Sequence, residues 1–226
     1  LFGAHLQMTE NIKATLTGDA QIVPPALINI FNTSEAIEDP ESVRRLLAEE
    51  PGISGQAERV IGQGIVASAT RSLGTFIVGY DPKEEERIQS RRTLVAGVPL
   101  SPSDEKGAII GEKMRQTLEL QLGEKIVLTA QDYYGSMAGG IFTLLGTFET
   151  GNDQVDNGTV MILKKTAQQF LSFDRRVSKI VLKLSPDAPI GPVVHRLQER
   201  LQGTGLKVLT WEDLLPMLSQ MIRFQD

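Results

Sequence analysis

The chain contains no cysteine, which removes disulfides, thiolate nucleophiles and cysteine-ligated metal from its chemistry. It has two histidines, His5 and His195, and aromatic residues make up 5% of it. That is too few for a base-stacking platform. No stretch approaches the roughly 18 uninterrupted apolar residues of a membrane helix. Leu1 to Leu16 carries charges and no continuous apolar run, so it does not read as a signal peptide. The net charge is -5, and Arg91-Arg92 and Arg175-Arg176 stand as isolated basic pairs. They read as solvated surface, and nucleic acid is not an expected partner.

Catalytic signatures are missing as well. There is no Gly-x-Ser-x-Gly elbow for a hydrolase. Gly62-Gln63-Gly64-Ile65-Val66-Ala67 has the letters of a dinucleotide fingerprint, but Ile65 to Thr70 favours a strand where a helix should open. Gly107 to Lys113 is one residue short of a phosphate loop, and Met114 stands where a hydroxyl should bind magnesium. Those glycines read instead as the ends of a short strand leading into a helix. Neither histidine is read as having a second histidine or a carboxylate at i+4 with which to form a metal pair. Asp81, Glu84, Glu85 and Glu86 form an acidic run, read first as a solvated connection and second as a weak calcium site. No catalytic residue, cofactor site or metal site is therefore expected.

What is present is ordinary globular material: 226 residues, 41% apolar and 23% charged, enough for a sizeable core. The chain opens on a helix-period stretch from Leu1 and stops inside another apolar-stripe helix, Leu214 to Phe224. Both read as unfinished helices of a segment cut from a longer protein, with a membrane helix on either side. Asp39-Pro40 starts a helix with Val43, Leu46 and Leu47 on its buried stripe. Strands are expected over Gln56 to Ile61, Gly64 to Thr70 and Thr75 to Tyr80, the last two joined through Arg71 to Gly74. A helix with Met114, Leu118 and Leu122 inward stops at Gly123. Strands Lys125 to Gln131 and Ile141 to Thr147 flank a Gly-rich connection, and Gly158 to Leu163 precedes a helix over Thr166 to Leu171. In the last third, strand Ser178 to Leu184 sets Ile180, Leu182 and Leu184 against Lys179, Val181 and Lys183. Helix Ile190 to Leu201, strand Leu206 to Leu209 and a capping box at Thr210 to Asp213 complete it.

The first and last thirds mirror each other as strand, helix, strand. They read as one α/β layer built from split halves, with a β-rich insertion between them, an α+β fold. Tyr133, Tyr134 and Met137 cluster at the tip between two strands, and such residues on an exposed tip are candidates for partner contact. Trp211 reads as an anchor for the final helix.

Four segments in order carry a resemblance: Thr17 to Ile22; Gly107 to Gly111 continuing to Leu122-Gly123-Glu124-Lys125-Ile126-Val127-Leu128; Phe142 to Phe148; and Thr210 to Pro216. Together they resemble the periplasmic core domain of MacB/FtsX-type ABC transporter permeases, including the lipoprotein-releasing LolC/LolE branch. The resemblance implies a porter-like α/β subdomain over residues 17–92 and 172–226 and a sabre-like β-rich one over 93–171, with 1–16 as an N-terminal stalk helix. It implies a periplasmic domain of an inner-membrane permease, without cofactor or catalysis, coupling ATP hydrolysis to lipoprotein release or another export task by mechanotransmission. The implied partners are a separate ABC ATPase subunit, a second permease copy in a homo- or heterodimer, and a lipoprotein substrate or periplasmic carrier. One branch of the family carries a long hook on this hairpin, and here the connection is short, Gly-rich and without Pro or Arg. The residues alone also admit a stand-alone α/β ligand- or peptide-binding module.

Overall fold

β2, Ile53–Ala67, belongs to two structures at once. In the computed structural model, which describes residues 17–25, 35–89 and 92–214, this strand runs unbroken where the sequence suggests two strands parted by glycines. The reason is at Gly64, where a Cβ would stand 2.2 Å from the carbonyl oxygen of Thr129. The glycine admits a crossing strand and does not end its own.

The first half of β2 closes a four-stranded antiparallel sheet. Its order is β10 (Lys207–Thr210), β1 (Ala20–Val23), β9 (Lys179–Leu184), β2. Helix α1, Pro40–Ala48, lies between β1 and β2 in sequence, and α6, Ile190–Arg200, between β9 and β10. Two interleaved βαβ units in this order make a ferredoxin-like layer. α1 forms where expected: Asp39 accepts from the Ser42 N–H at 3.1 Å, and Pro40 opens the helix. Val43 and Leu47 of α1 and Val193 and Leu197 of α6 pack with Ile22, Ile180, Leu182 and Val208 of the sheet. The helices are linked side by side, Arg196 Nε donating to Glu50 at 2.9 Å and Arg200 Nη2 to Glu49 at 2.7 Å. Val181, expected on an outer face, is buried with Ala57 and Ile88, because residues following β3 cover that side.

The second half of β2 enters a closed barrel. Its partners are β3 (Ser72–Tyr80), β8 (Thr159–Leu163), β5 (Gly107–Gly111), β7 (Met137–Glu149) and β6 (Lys125–Gln131), and β6 returns to β2. Closure removes the free edges, and the interior is filled by Val66, Ile77, Ile110, Ile126, Leu128, Phe142, Leu144, Val160 and Ile162. Residues 60–80, within the stretch read as porter-like, pair into this barrel. β4, Thr93–Gly97, lies along β7 beyond β6. The β2–β3 turn falls at Ser68–Arg71, earlier than the sequence suggests, with the Ser68 N–H on the Arg71 carbonyl at 2.9 Å.

The barrel also has an internal two-fold correspondence. β2–β3 and β6–β7 are antiparallel hairpins that meet through β2 and β6. Each hairpin's second strand pairs in parallel with a third strand, β3 with β8 and β7 with β5. The third strands then pair antiparallel with each other. Each runs into a helix, β5 into α3 (Glu112–Thr117) and β8, which follows the short helix α4 (Asp153–Gly158), into α5 (Lys164–Phe170). Both helices end the same way: Glu119 and Ser172 have φ of 55° and 56°. Leu120 donates to the Arg115 carbonyl at 3.1 Å and Phe173 to that of Gln168 at 2.8 Å. This is a Schellman ending without glycine. It stops α3 five residues before the Leu122-Gly123 pair expected to close it, and leaves Leu122 exposed.

Helix α2, Pro82–Arg87, follows β3 and covers the edge of β2 past the point where β3 leaves it. The Glu58 N–H donates to Glu84 Oε2 at 2.9 Å, so a carboxylate takes the place of a neighbouring strand. Gly55 permits the approach, since a Cβ there would stand 2.4 Å from the Arg87 carbonyl oxygen. The acidic run is therefore not a solvated connection. Glu85 is buried, and Glu84 is held between β2 and α5. Arg92, read as solvated surface, is largely buried beside Glu85.

Candidate functional site

The β6–β7 connection is short because Asp132 organises it. Its Oδ1 accepts from the N–H groups of Tyr134 (3.0 Å) and Ser136 (2.8 Å), and its Oδ2 accepts from the Ser172 hydroxyl at 2.7 Å. These bonds, Ser172 foremost, hold its carboxyl below the usual range. Gly135, at φ 84°, makes the turn possible.

The three residues singled out at this tip do not share one environment. Tyr133 faces the protein. Its ring meets Phe173 edge-on with centroids 5.3 Å apart and lies under the Arg176 guanidinium at 4.8 Å. Its backbone N–H donates to Leu171, and its hydroxyl donates to Glu38 Oε1 at 3.1 Å. Arg176 Nε also binds Glu38, at 2.6 Å, and that bond chiefly lowers the Glu38 pKa. Tyr134, whose ring meets that of Tyr133 edge-on with centroids 5.2 Å apart, and Met137 are nonetheless 65% and 72% exposed. Ile141, Val127 and Ile65 are exposed too. Val127 pairs with Ile141 across β6 and β7, and Ile65 lies one strand further over on β2, so apolar side chains extend from the tip down the barrel wall.

This division has a measurable consequence. Tyr133→Ala loses an aromatic pair and a hydrogen bond, and urea unfolding is expected to show a loss of about 1–2 kcal/mol. Met137→Ala is expected to stay within about 0.5 kcal/mol of the parent, and Tyr134→Ala, which loses its ring contact with Tyr133, within about 1 kcal/mol.

Other sequence candidates remain apart. His195 is exposed on α6, and, contrary to the expectation, a carboxylate does stand one turn away, Glu199 at 3.4 Å, because the helix brings residues four apart together on its solvent face. Among the described residues, no group of three or more His, Asp or Glu converges on a metal-sized space. Gly62–Ala67 lies within β2, and Gly107–Gly111 is a strand leading into α3, as read. The Thr210–Asp213 box forms, with the Thr210 N–H on Asp213 at 2.8 Å and the return bond at 3.3 Å. His5, the opening stretch expected as a helix, and residues 215–224 of the closing one lie outside the described residues.

Residues 2–200 match the MacB-like periplasmic core domain. The chain belongs to this family. It is 26% identical over 198 residues to the lipoprotein-releasing system transmembrane protein LolC of Neisseria meningitidis serogroup B, an alignment covering 84% of this chain and 47% of that protein. The chain thus spans about half the length of that curated relative. In structure it is similar to the periplasmic region of MacB from Actinobacillus actinomycetemcomitans, with TM-score 0.62, 14% identity, and 94% of this chain and 98% of the other covered. It is also similar to the extracellular domain of the noncanonic ABC-type transporter YknZ from Gram-positive bacteria, with TM-score 0.58, 11% identity, and 84% and 98% covered. At such identities the likeness is one of fold. It agrees with the α+β organisation expected for a MacB-like domain.

One set of residues in this MacB-like domain escaped the sequence reading. Glu58, Arg59, Glu84, Glu85, Arg92 and Lys164 converge where sheet meets barrel. A signal was available: Glu58-Arg59 interrupts the apolar residues Ala57, Val60 and Ile61. Charges inside an apolar strand require partners.

Proposed function

We propose that this chain is the periplasmic domain of an inner-membrane ABC permease that releases lipoproteins from that membrane. On this reading it performs no catalysis. ATP is hydrolysed by a separate cytoplasmic subunit, two permease copies work together, and motion reaches this domain through the helices that join it to the membrane. The observation that carries the reading is the family match over residues 2–200 combined with the likeness to LolC, whose name states lipoprotein release. Topology supports it. β1 and β10 are antiparallel neighbours, and Trp211 N–H donates to the Asp19 carbonyl at 3.3 Å. The segments before β1 and after β10 therefore depart from the same end of the sheet, as paired stalks require. Tyr134 and Met137 are assigned as contacts for the lipoprotein or its carrier.

Cells depleted of the full-length protein are expected to accumulate newly made, pulse-labelled lipoproteins in the inner-membrane fraction. An unchanged partition between membranes would remove lipoprotein release from the reading. With the full-length protein restored, Tyr134→Ala with Met137→Ala is expected to slow release about 5–30-fold, the effect of truncating contacts that contribute 1–2 kcal/mol. Release at the parent rate would remove the tip as the contact.

A further inference from the structure

β2 passes from sheet to barrel at Glu58 and Arg59, and both residues are buried. Successive residues of a strand face opposite ways, and each meets its own set of charges. On one side, Glu58 Oε1 stands 3.3 Å from Arg44 Nε of α1, an ion pair without a hydrogen bond, and Glu58 Oε2 accepts from Lys164 Nζ, at the start of α5, at 2.8 Å. Lys164 continues to Glu84 Oε1 of α2 at 2.6 Å. The chain Arg44–Glu58–Lys164–Glu84 thus runs from a helix of the sheet to a helix of the barrel. On the other side, Arg59 makes a paired fork to Glu85, Nε to Oε1 at 2.7 Å and Nη2 to Oε2 at 2.9 Å. Arg92 reaches Glu85 Oε2 at 3.1 Å and lies over the Tyr80 ring at 5.0 Å. Lys179 of β9 stands opposite Arg59 in register. Its pKa is pushed down to about 7, first by burial and then by Arg59, with Glu85 acting against both.

Buried charge of this kind contributes little net stability compared with well-packed apolar residues, because desolvation offsets the attraction. What it does supply is geometry. A fork of two short charge-assisted bonds tolerates little rotation, whereas apolar side chains can slide and repack. The sites it joins lie on α1 of the sheet, on α5 of the barrel, and on α2, which lies along the edge of their common strand, with Lys179 of β9 beside them. We propose that this two-sided charge network is a rigid coupling that fixes the angle between the ferredoxin-like sheet and the barrel, so that the two move as one body. The inference does not depend on which substrate or partner the domain serves.

The test uses the absence of cysteine, so that Gln121→Cys in the barrel and Gln202→Cys after α6, both exposed, become the labelling sites. Electron–electron distance measurement between spin labels there is expected to give one narrow distribution in the parent. Two variant sets are compared: Arg59→Met/Glu85→Leu/Arg92→Met on one side, and Glu58→Gln/Glu84→Gln/Lys164→Met on the other. Each is expected to fold, with a melting temperature close to the parent's, and to at least double the width of the distribution. A width and centre equal to the parent's in a folded set would overturn the coupling. Failure of both sets to fold would overturn it too, since the network would then hold the fold and not its angle.

Discussion

Leu197→Asp is expected to leave the chain unfolded at room temperature. Leu197 is completely buried on α6, in the cluster that joins α1 and α6 to Ile180, Leu182 and Val208. Removing its side chain loses roughly 2 kcal/mol of apolar burial, and placing a carboxylate there without a partner costs several more. Arg196 and Arg200 flank it in sequence, but their guanidinium groups are engaged with Glu50 and Glu49. The sum, about 5 kcal/mol or more, reaches the whole stability of many domains of this kind. Loss of the near-ultraviolet circular dichroism and of the thermal transition is the expected observation. Leu197→Met, which keeps the volume, is expected to cost less than about 1.5 kcal/mol. A cooperative transition near the parent's temperature in Leu197→Asp would show that α6 does not cover this sheet.

The α/β layer was legible because its signals are local. Asp39-Pro40 writes a helix start, the alternation over Ile180, Leu182 and Leu184 writes a half-buried strand, and Thr210 with Asp213 writes a capping box. The barrel was less so. Its closure depends on β6 returning to β2, a contact between residues sixty or more positions apart, and no periodicity within either strand reports it. The two-fold correspondence is hidden for a related reason. Core positions accept any apolar residue of suitable volume, so only Gln116-Thr117-Leu118-Glu119-Leu120 and Gln169-Phe170-Leu171-Ser172-Phe173 retain a shared pattern around the left-handed residue. Of the tip residues, the sequence identified the cluster but not its division. Tyr133 turns inward because Phe173, Arg176 and Glu38 are waiting for it, and those arrive from distant parts of the chain. The acidic run misled for the same reason: Glu84 and Glu85 look solvated until β2 brings Glu58 and Arg59 beside them.

Glu85→Ala is expected to destabilise the domain by about 3–5 kcal/mol, read as the shift in the urea unfolding midpoint at unchanged slope. The loss comes less from the pair itself than from what is left behind. Arg59 is 5% exposed at its side chain and Arg92 14%. Without Glu85, the fork to Arg59 and the bond to Arg92 are lost, and the like charges there, with Lys179 opposite Arg59, have less to offset them. Burial already lowers the pKa of Arg92, with Glu85 opposing that effect, so removing Glu85 sharpens the penalty on the charged form. The Glu85→Leu/Arg59→Met/Arg92→Met set removes both of these cations along with the anion, and leaves Lys179, whose pKa burial pushes down to about 7. It is expected to recover most of the loss, because apolar replacements of similar volume need no counter-charge. That difference separates two roles that a single substitution confounds. If Glu85→Ala were mild, the cations would be reaching solvent, and the site would be looser than its distances imply. If the triple set were as damaged as the single one, the contacts would be supplying net stability. A severe single loss with a near-neutral triple is the signature of charges that specify how sheet meets barrel, while apolar contacts around them keep the domain folded.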